Sequence, residues 1–232
     1  MSQGLRSHIV PLLGPLRGPL RRCVNHFSTP RALNAFATHV PVLIGLGQSR
    51  KIQRVLEFGC GKYSTLTLLN RSVFPHLDRL HSIENDDSWA AMIQEAAKHD
   101  SRWSLQLVNG EIAGSVADLD FEAFDLIMID DSQTSTQRAA TIRAVAGKQP
   151  QRPLIVIHDF EVEEYRKAAT GFKYRHRFRG YNPETGVVGN QMAEWKALDR
   201  IIRSKAKLFE PDAIEKWTKV FRQDLQDLKC EF

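Results

Sequence analysis

The sequence predicts an α/β fold with a doubly wound, mostly parallel sheet, an antiparallel hairpin at the sheet edge and extra helices at both ends of the chain. Two observations carry this prediction. Five short apolar runs alternate with helical patterns between residues 54 and 159, which is typical of successive βαβ units. Residues 172–179 then alternate between aromatic or histidine side chains and basic ones, and turn-forming residues follow, which indicates a hairpin.

The five apolar runs are the predicted parallel strands, at residues 54–58, 79–84, 104–108, 124–130 and 154–159. The last two runs are almost continuously apolar, as expected for central strands covered on both faces. The patterns between the strands predict helices at residues 64–70, 88–99 and 136–146. Ahead of the sheet, Thr29-Pro30 predicts the start of a helix that runs to about residue 39, and a second short helix is predicted at 42–48.

Length and composition indicate one folded domain. The chain has 232 residues, of which 42% are hydrophobic and 25% charged, and this suits a single sizeable core. We expect a lead-in rich in glycine, proline and arginine at residues 1–28. One domain should follow at 29–232, with its core at 50–190 and two amphipathic helices in 191–232. No apolar run is long enough to predict a transmembrane segment. Three cysteines without metal-ligand spacing suit a reducing compartment, so a cytoplasmic location is predicted.

Basic residues are unevenly distributed along the chain. Before Glu57 the sequence has no acidic residue and eight basic ones, namely Arg6, Arg17, Arg21, Arg22, Arg31, Arg50, Lys51 and Arg54. Such a segment could meet an anionic partner, for example a membrane surface, a nucleic acid or a charged glycan. The alternative is a solvated extension that lacks acidic residues, and the dispersed positions of the basic residues favour this interpretation.

The turn Gly59-Cys60-Gly61 follows the first predicted strand. Open parallel sheets bind ligands at the carboxyl ends of their strands, beside the point where the strand order reverses. Glycines let the backbone bend sharply there and let a ligand approach it closely. Glu57 and Glu84 lie at the ends of the first and second strands, and Asp130 ends the fourth. We therefore expect three carboxylates and a glycine turn to converge at this edge, with Glu84 at a spacing suited to ribose hydroxyls.

These residues carry a resemblance to a known family. The segment Val55-Leu56-Glu57-Phe58-Gly59-Cys60-Gly61 resembles the first motif of class I S-adenosylmethionine-dependent methyltransferases. Glu84-Asn85-Asp86 is similar to their acidic second-strand motif, and Asp125-Leu126-Ile127-Met128-Ile129-Asp130 to their fourth-strand motif. The resemblance covers roughly residues 50–190. It implies that S-adenosylmethionine is the cofactor and that its site contains Glu57, Gly59, Cys60, Gly61, Ser64, Glu84, Asn85, Gly110 and Asp130.

The resemblance also implies a role for parts of this site. Glu57 would help to hold the amino end of the cofactor, Glu84 would hold the ribose, and the loop Asn109-Gly110-Glu111 would lie near the adenine. A nicotinamide dinucleotide is the competing ligand, and a purely structural glycine turn is a further alternative. The dinucleotide fingerprint has a third glycine or alanine where this sequence has Ser64. It also has a pyrophosphate at the helix start, where Glu57 would be an unfavourable neighbour.

The predicted catalytic residues are Asp130, His158 and Asp159, at the ends of the fourth and fifth strands. A sulfonium methyl group is already activated, so the protein has to align the acceptor, exclude water and, for a hydroxyl, remove a proton. His158 is the natural base near neutral pH, although a hydrogen-bonded strand-end histidine and a helix-capping Asp159 are equally good interpretations. The Asn/Asp-Pro-Pro-aromatic motif of base N-methylation does not follow Asp130, and no cysteine is placed for pyrimidine carbon-5 methylation. These absences favour O-methylation of a small molecule or saccharide.

No metal is predicted. Catechol-type O-methyltransferases hold a divalent ion with carboxylates at the ends of the fourth and fifth strands and an asparagine after the second. Asp130 and Asp159 could match, but Phe160 occupies the asparagine position. Two alternatives to O-methylation stay open, namely RNA methylation and a non-catalytic binding protein with this fold. The basic N-terminal segment and the basic side chains Lys173, Arg175, Arg177 and Arg179 motivate the first. For these four side chains of residues 173–179, the favoured interpretation is an edge strand whose charges prevent it from pairing with other chains.

Overall fold

The computed structural model describes residues 35–132, 134–191 and 200 of the chain. The lead-in predicted at 1–28, most of the helix predicted from residue 29 and the two predicted C-terminal helices lie outside the described residues, except for Arg200. Within the first described residues, Ala35–Ala37 forms a short 3-10 helix. No helix of the described segments combines the length and apolar character needed to cross a membrane.

One sheet organises the fold. Its strands are β1 (Arg54–Phe58), β2 (Arg79–Glu84), β3 (Trp103–Leu107), β4 (Leu126–Ile129), β5 (Leu154–Ile157), β6 (Tyr174–Phe178) and β7 (Thr185–Gly189). The strand order is β3-β2-β1-β4-β5-β7-β6. Strands β1 to β5 run parallel, whereas β7 is antiparallel to both β5 and β6. The predicted mostly parallel sheet with an antiparallel edge hairpin is confirmed.

The strand order reverses between β1 and β4, which are hydrogen-bonded neighbours at the centre of the sheet. Their last residues, Phe58 and Ile129, lie opposite each other, and Ile129 also lies opposite Ile157 of β5. The loops that follow these three strands therefore leave the sheet side by side. Such a switch point is the usual place for a ligand in an open α/β sheet.

The α-helices of the described segments are α1 (Val40–Ser49), α2 (Ser64–Leu69), α3 (Asp87–Ala97), α4 (Ser135–Gly147) and α5 (Glu163–Ala168). Two of them begin at side-chain caps. The Asp86 carboxylate accepts a hydrogen bond of 2.9 Å from the Trp89 N–H, and the Thr134 hydroxyl accepts one of 3.4 Å from the Gln137 N–H. The four helices predicted between residues 42 and 146 are all present, with ends shifted by about one or two residues.

Hydrophobic clusters cover both faces of the sheet. Residues of α1 and α2 pack with one set of strand side chains, and residues of α4 and α5 pack with the other. Successive residues of a strand alternate between the two clusters, as Val55 and Leu56 do on β1. Because β4 and β5 are buried on both faces, their sequences are continuously apolar rather than alternating, whereas the equally central β1 includes the buried Glu57.

Candidate active site

Gly59 starts the turn after β1 and adopts a φ of 81°. This left-handed conformation strongly favours glycine. A Cβ atom on Gly59 would lie 2.6 Å from both the Asp130 carbonyl oxygen and the Asp131 Cα. The turn therefore packs directly on the backbone that follows β4, and glycine is required there for this packing even without a ligand. Gly61, by contrast, would bring a Cβ 3.0 Å from the Ser64 hydroxyl, which can rotate away.

Glu57 is fully buried, with 0% of the residue exposed. Its Oε2 accepts hydrogen bonds from the hydroxyls of Thr65 (2.8 Å) and Ser82 (2.6 Å), and Thr65 Oγ1 accepts one of 2.9 Å from the Gly61 N–H. Its Oε1 has no hydrogen-bond partner among the described residues. Burial, offset in part by the neighbouring hydroxyls, raises the pKa of Glu57 to about 7. Glu57 thus holds the glycine turn in place through Thr65, which connects its carboxyl to the Gly61 N–H.

The Glu84 carboxylate joins the end of β2 to the same turn. Its Oε2 accepts a hydrogen bond of 3.0 Å from the Cys60 N–H, and its Oε1 accepts bonds from the N–H groups of Asn85 (2.7 Å) and Asp86 (2.9 Å). The Trp89 indole donates to the Cys60 carbonyl oxygen. Burial, together with the nearby Glu57 and Glu84 carboxylates, raises the pKa of the Cys60 thiol, so this cysteine is a neutral packing group rather than a nucleophile.

The loop after β3 completes this side of the site. Asn85 Nδ2 donates a hydrogen bond of 2.8 Å to the Gly110 carbonyl oxygen. Gly110 has a φ of 95°, and a Cβ atom there would have no neighbouring heavy atom within 4 Å. The predicted cofactor residues Glu84, Asn85 and Gly110 are thus brought together beside an open space. Ser64 is buried at the first residue of α2, next to the turn.

The ends of β4 and β5 form the second half of the site. Asp130 follows β4, and His158 follows β5. Asp130 Oδ1 lies 3.1 Å from His158 Nδ1, and His158 Nε2 lies 2.8 Å from the Thr38 hydroxyl oxygen. Burial alone would lower the pKa of His158, but Asp130 and Asp159 outweigh it and hold that pKa above the usual value. Both ring nitrogens of His158 therefore have partners in the protein.

His39 is the third member of this cluster. It precedes α1 and is 1% exposed, and neither ring nitrogen has a hydrogen-bond partner within the described segments. Its Nδ1 lies 3.9 Å from Asp130 Oδ2, and its ring meets the His158 ring edge-on with centroids 4.7 Å apart. Burial first, and then the neighbouring His158, lower the pKa of His39 to about 3. His39 is thus a neutral imidazole with unused lone-pair capacity.

Arg138 of α4 lies beneath both strand ends. Its guanidinium contacts Asp159 Oδ2 at 2.7 Å and Asp130 Oδ1 at 3.0 Å. The same group donates to the backbone carbonyl oxygens of Asp131 (2.7 Å) and Ser132 (2.9 Å). Ser132 and Asp159 have left-handed φ values of 61° and 55°, which is an uncommon conformation for residues other than glycine. Arg138 holds both of these loops in place.

Asp131 points away from this cluster. Its Oδ2 accepts a hydrogen bond of 2.6 Å from the Thr141 hydroxyl of α4, and the residue is 1% exposed. Burial raises the pKa of Asp131 to about 6. Although it adjoins Asp130 in the chain, Asp131 is part of the contact between β4 and α4.

The predicted site residues thus lie in two neighbouring groups. Around the glycine turn are Glu57, Gly59, Cys60, Gly61, Ser64, Glu84, Asn85 and Gly110, and at the ends of β4 and β5 are Asp130, His158 and Asp159. The packing of Gly59 on the Asp130 carbonyl connects the two groups. Sequence reasoning missed Thr38, His39 and Arg138. Thr38 and His158 are 120 positions apart, so no local pattern could have indicated their contact.

Two further predictions concern the residues around this site. Phe160, which stands where catechol-type enzymes have asparagine, is buried and packs on Gly186 of β7, so it has no place in a ligand set. The basic side chains of β6 are engaged within the protein. Arg177 pairs with Glu184, and Arg175 donates to the Thr170 carbonyl oxygen at 2.9 Å. Because β6 is also an edge strand of the sheet, these contacts agree with charged side chains that prevent it from pairing with another chain.

Comparison with known proteins identifies the fold. No family model and no curated protein matches the chain, but solved structures do. The methyltransferase PaMTH1 of Podospora anserina, solved with S-adenosylhomocysteine bound, is 16% identical with a TM-score of 0.51, over 65% of this chain and 76% of that chain. The N-methyltransferase NodS of Bradyrhizobium japonicum is 17% identical with a TM-score of 0.45, over 65% and 83%. Spermidine synthase is 16% identical with a TM-score of 0.48, over 75% and 63%. The likeness to PaMTH1 shows that the chain has the class I methyltransferase fold that the sequence predicts.

Proposed function

We propose that this protein is an S-adenosylmethionine-dependent methyltransferase that methylates a hydroxyl of a small molecule or saccharide. The observation that carries the proposal is the link between Glu84 and the Cys60 N–H. It joins an acidic side chain at the end of β2 to a glycine turn at the switch point of the sheet. An acidic residue in this position can accept hydrogen bonds from ribose hydroxyls while the turn borders the rest of the ligand.

The residues around the turn fit this cofactor. Glu84 Oε2 accepts only one protein hydrogen bond within the described segments, so it retains capacity for a hydroxyl donor. The base of the cofactor could approach the Gly110 backbone closely, because no heavy atom lies within 4 Å of a Cβ position there. Glu57 would act mainly by holding the turn through Thr65, and its Oε1, which has no hydrogen-bond partner among the described residues, would be left to accept from the cofactor's amino end. S-adenosylmethionine supplies a methyl group that is already activated by its sulfonium.

A dinucleotide fits the same residues less well. A pyrophosphate binds at a helix N-terminus with unpaired N–H groups and no nearby anion. Here α2 has only 6 residues, and the Thr65 hydroxyl at its start donates to the buried Glu57 carboxylate. Ser64 also stands where the dinucleotide fingerprint has a third glycine or alanine. These features favour S-adenosylmethionine over NAD.

The ends of β4 and β5 are the proposed acceptor site. The side chains of Asp130 and Asp159 are 20% and 28% exposed, whereas that of His158 is 3% exposed. We infer that the two carboxylates meet the acceptor and that His158 positions Asp130 through its 3.1 Å contact. Burial alone would raise the pKa of Asp130, but His158 and then Arg138 outweigh it and lower that pKa, so this carboxylate is in the state needed to accept a proton.

Calorimetric titration of the purified full-length chain with S-adenosylmethionine, S-adenosylhomocysteine and NAD tests the cofactor. We expect binding of the first two, weakened about 10- to 100-fold in Glu84→Gln, since a hydrogen bond to a charged group contributes about 1.5–3 kcal/mol. Glu95→Gln is the matched control, because Glu95 is exposed and forms an ion pair with the exposed Lys98. Thermal melting checks that both variants are folded. Binding of NAD alone, or of none of the three, would overturn the proposal.

The acceptor class is tested by methyl transfer itself. The chain is incubated with S-adenosylmethionine carrying a labelled methyl group and, in turn, catechols, saccharides and RNA. We expect label in a hydroxyl-bearing small molecule or saccharide. Transfer of the label to RNA, together with RNA binding that weakens steeply as the salt concentration rises, would instead identify an RNA methyltransferase.

A further inference from the structure

We propose that His39, Asp130 and His158 bind one divalent transition-metal ion at the carboxyl ends of β4 and β5. Each residue offers one ligand atom, and these atoms all lie within 4.8 Å of one another. The sequence predicts no metal, and the only ligand set it raises is Asp130 with Asp159. The proposed set differs in that its further ligands are the imidazoles of His158 and His39, which comes from the segment before α1, instead of the Asp159 carboxylate.

The separations between ligand atoms suit a single ion. Ligands at about 2.1 Å from a metal lie about 3.0 Å apart at octahedral angles and about 3.4 Å apart at tetrahedral angles. His158 Nδ1 lies 3.1 Å from Asp130 Oδ1, and His39 Nδ1 lies 3.9 Å from Asp130 Oδ2. The ligand atoms of all three residues lie within 4.8 Å of one another, so the His39 ring would have to move by about 1–1.5 Å, the scale of a side-chain rearrangement on binding, to reach the same range.

The His39 ring supplies the independent sign of a ligand. Buried polar groups in proteins are almost always hydrogen-bonded, yet both ring nitrogens of His39 are without such a partner among the described residues. The ring lies against His158 and beside Asp130. A metal ion bound at Nδ1, which lies 3.9 Å from Asp130 Oδ2, would give this ring the partner that it lacks within the described segments.

Thr38 orients His158 for the same role. The Thr38 hydroxyl lies 3.3 Å from the Ala35 carbonyl oxygen, to which it donates, so its own oxygen can accept from the His158 Nε2–H at 2.8 Å. Nδ1 is then the nitrogen left to bind an ion, which would replace the proton that His158 shares with Asp130. A histidine ligand usually donates its second ring N–H to an oxygen in this way.

The donor set indicates the class of ion. Two imidazoles and one carboxylate are suited to Zn²⁺, Co²⁺, Fe²⁺ or Ni²⁺ and leave coordination positions open. Mg²⁺ and Ca²⁺ prefer shells of oxygen ligands and are excluded by this set. The surrounding charges favour a cation, since among the described residues the Asp130 and Asp159 carboxylates pair with one guanidinium, that of Arg138, and leave one negative charge in excess.

The role of the ion rests on the proposed function. With open positions beside the acceptor site, the ion would bind the oxygen of the acceptor hydroxyl and lower the pKa of that hydroxyl. The hydroxyl proton would then pass more readily to water or to Asp159. The preferred acceptors would then have two adjacent oxygens, which can bind one ion together.

The test uses the tag-free full-length chain, stripped with a chelator and titrated with Co²⁺ as the probe. We expect one Co²⁺ per chain, ligand-field absorption bands typical of nitrogen and oxygen ligands, and a higher melting temperature with the ion than without it. Competition by Zn²⁺, but not by Mg²⁺, should remove the bands. A wild-type chain that binds no Co²⁺ or Zn²⁺ at micromolar concentrations overturns the proposal without any variant.

Variants then identify the ligands. His39→Gln and His158→Gln should each weaken Co²⁺ binding about 100-fold or more, and Thr38→Val about 10- to 100-fold. His99→Gln, which changes an exposed histidine just beyond α3, should bind like the wild type. Melting of each metal-free variant shows that it is folded. Folded His39 and His158 variants that bind Co²⁺ as tightly as the wild type would overturn the assignment.

S-adenosylmethionine binding is measured in the same samples. Metal binding by a chain that fails to bind S-adenosylmethionine supports the metal site and overturns only the proposed function. Normal binding of S-adenosylmethionine by a wild-type chain that takes up no ion overturns only the metal site.

Discussion

At the scale of single residues, the buried Glu57 carboxyl should make the stability of the fold depend on pH. Its carboxyl is fully buried, with a pKa raised to about 7 by that burial, and only one of its oxygens is hydrogen-bonded among the described residues. The folded state therefore favours the protonated form. Its stabilising contribution is complete below the unfolded-state pKa of 4.5 and is lost as the pH rises through about 7.

Glu57→Gln should remove this dependence. The variant keeps the size of the side chain but cannot ionise, so the wild type should lose about 3 kcal/mol relative to it between pH 4.5 and pH 8. Urea unfolding of both chains at several pH values measures the difference in free energy of unfolding, and Glu95→Gln serves as the exposed control. A difference that stays constant over this range would show that Glu57 is already ionised in the folded protein.

Individual residues also mark how far the sequence could predict the site. Gly59, Glu84 and Asp130 could be located because they end strands whose apolar runs are visible in the sequence. His39 and Arg138 could not, since their importance comes from contacts with Asp130 that only the folded chain creates. The hydrogen bonds of Glu57, to Thr65 of α2 and to Ser82 of β2, could not be predicted either.

At the scale of elements, burial on both faces explains why β1, β4 and β5 were predictable and α5 was not. The 6 residues of α5, Glu163–Ala168, include two acidic and two basic side chains and show no apolar period. Strand ends were also less predictable than strand centres. β4 and β5 stop at Ile129 and Ile157, before the polar residues that were predicted to belong to them.

The contact between β7 and the loop after β5 yields an element-scale prediction. A Cβ atom on Gly186 would lie 2.5 Å from Phe160 Cδ1, so Gly186→Ala should lower the free energy of unfolding by about 1–3 kcal/mol. Gly114→Ala is the control, because no atom lies within 4 Å of a Cβ there. Denaturant unfolding measures both. Adding Phe160→Leu should recover part of the loss, and equal stability of the two glycine variants would contradict the expected clash.

At the scale of the whole molecule, the reversal of strand order brings together segments that are far apart in the chain. The glycine turn, the ends of β4 and β5 and the residues before α1 meet at one edge of the sheet. His39 lies outside the core predicted at residues 50–190, because that range was drawn from strand patterns and the His39 contact is long-range.

Ligand binding should therefore stabilise the whole fold. At S-adenosylmethionine concentrations 100-fold above its Kd, binding adds about 2.7 kcal/mol to the free energy of unfolding. For a chain of this size each kcal/mol raises the Tm by about 2–4 °C, so an increase of about 5–10 °C is expected. Differential scanning fluorimetry with S-adenosylmethionine and with equal NAD measures it. An equal increase with both ligands would argue against selective recognition.

Arg138 limits how this protein can be redesigned. Five oxygen atoms of the two loops lie within 3.4 Å of its guanidinium nitrogens, namely the carbonyl oxygens of Asp130, Asp131 and Ser132 and the carboxylates of Asp130 and Asp159. Lysine cannot reproduce this planar set of donors. An engineer seeking a new acceptor should therefore keep Arg138 unchanged and begin mutagenesis elsewhere around the pocket, because altering this one side chain would release both loops together.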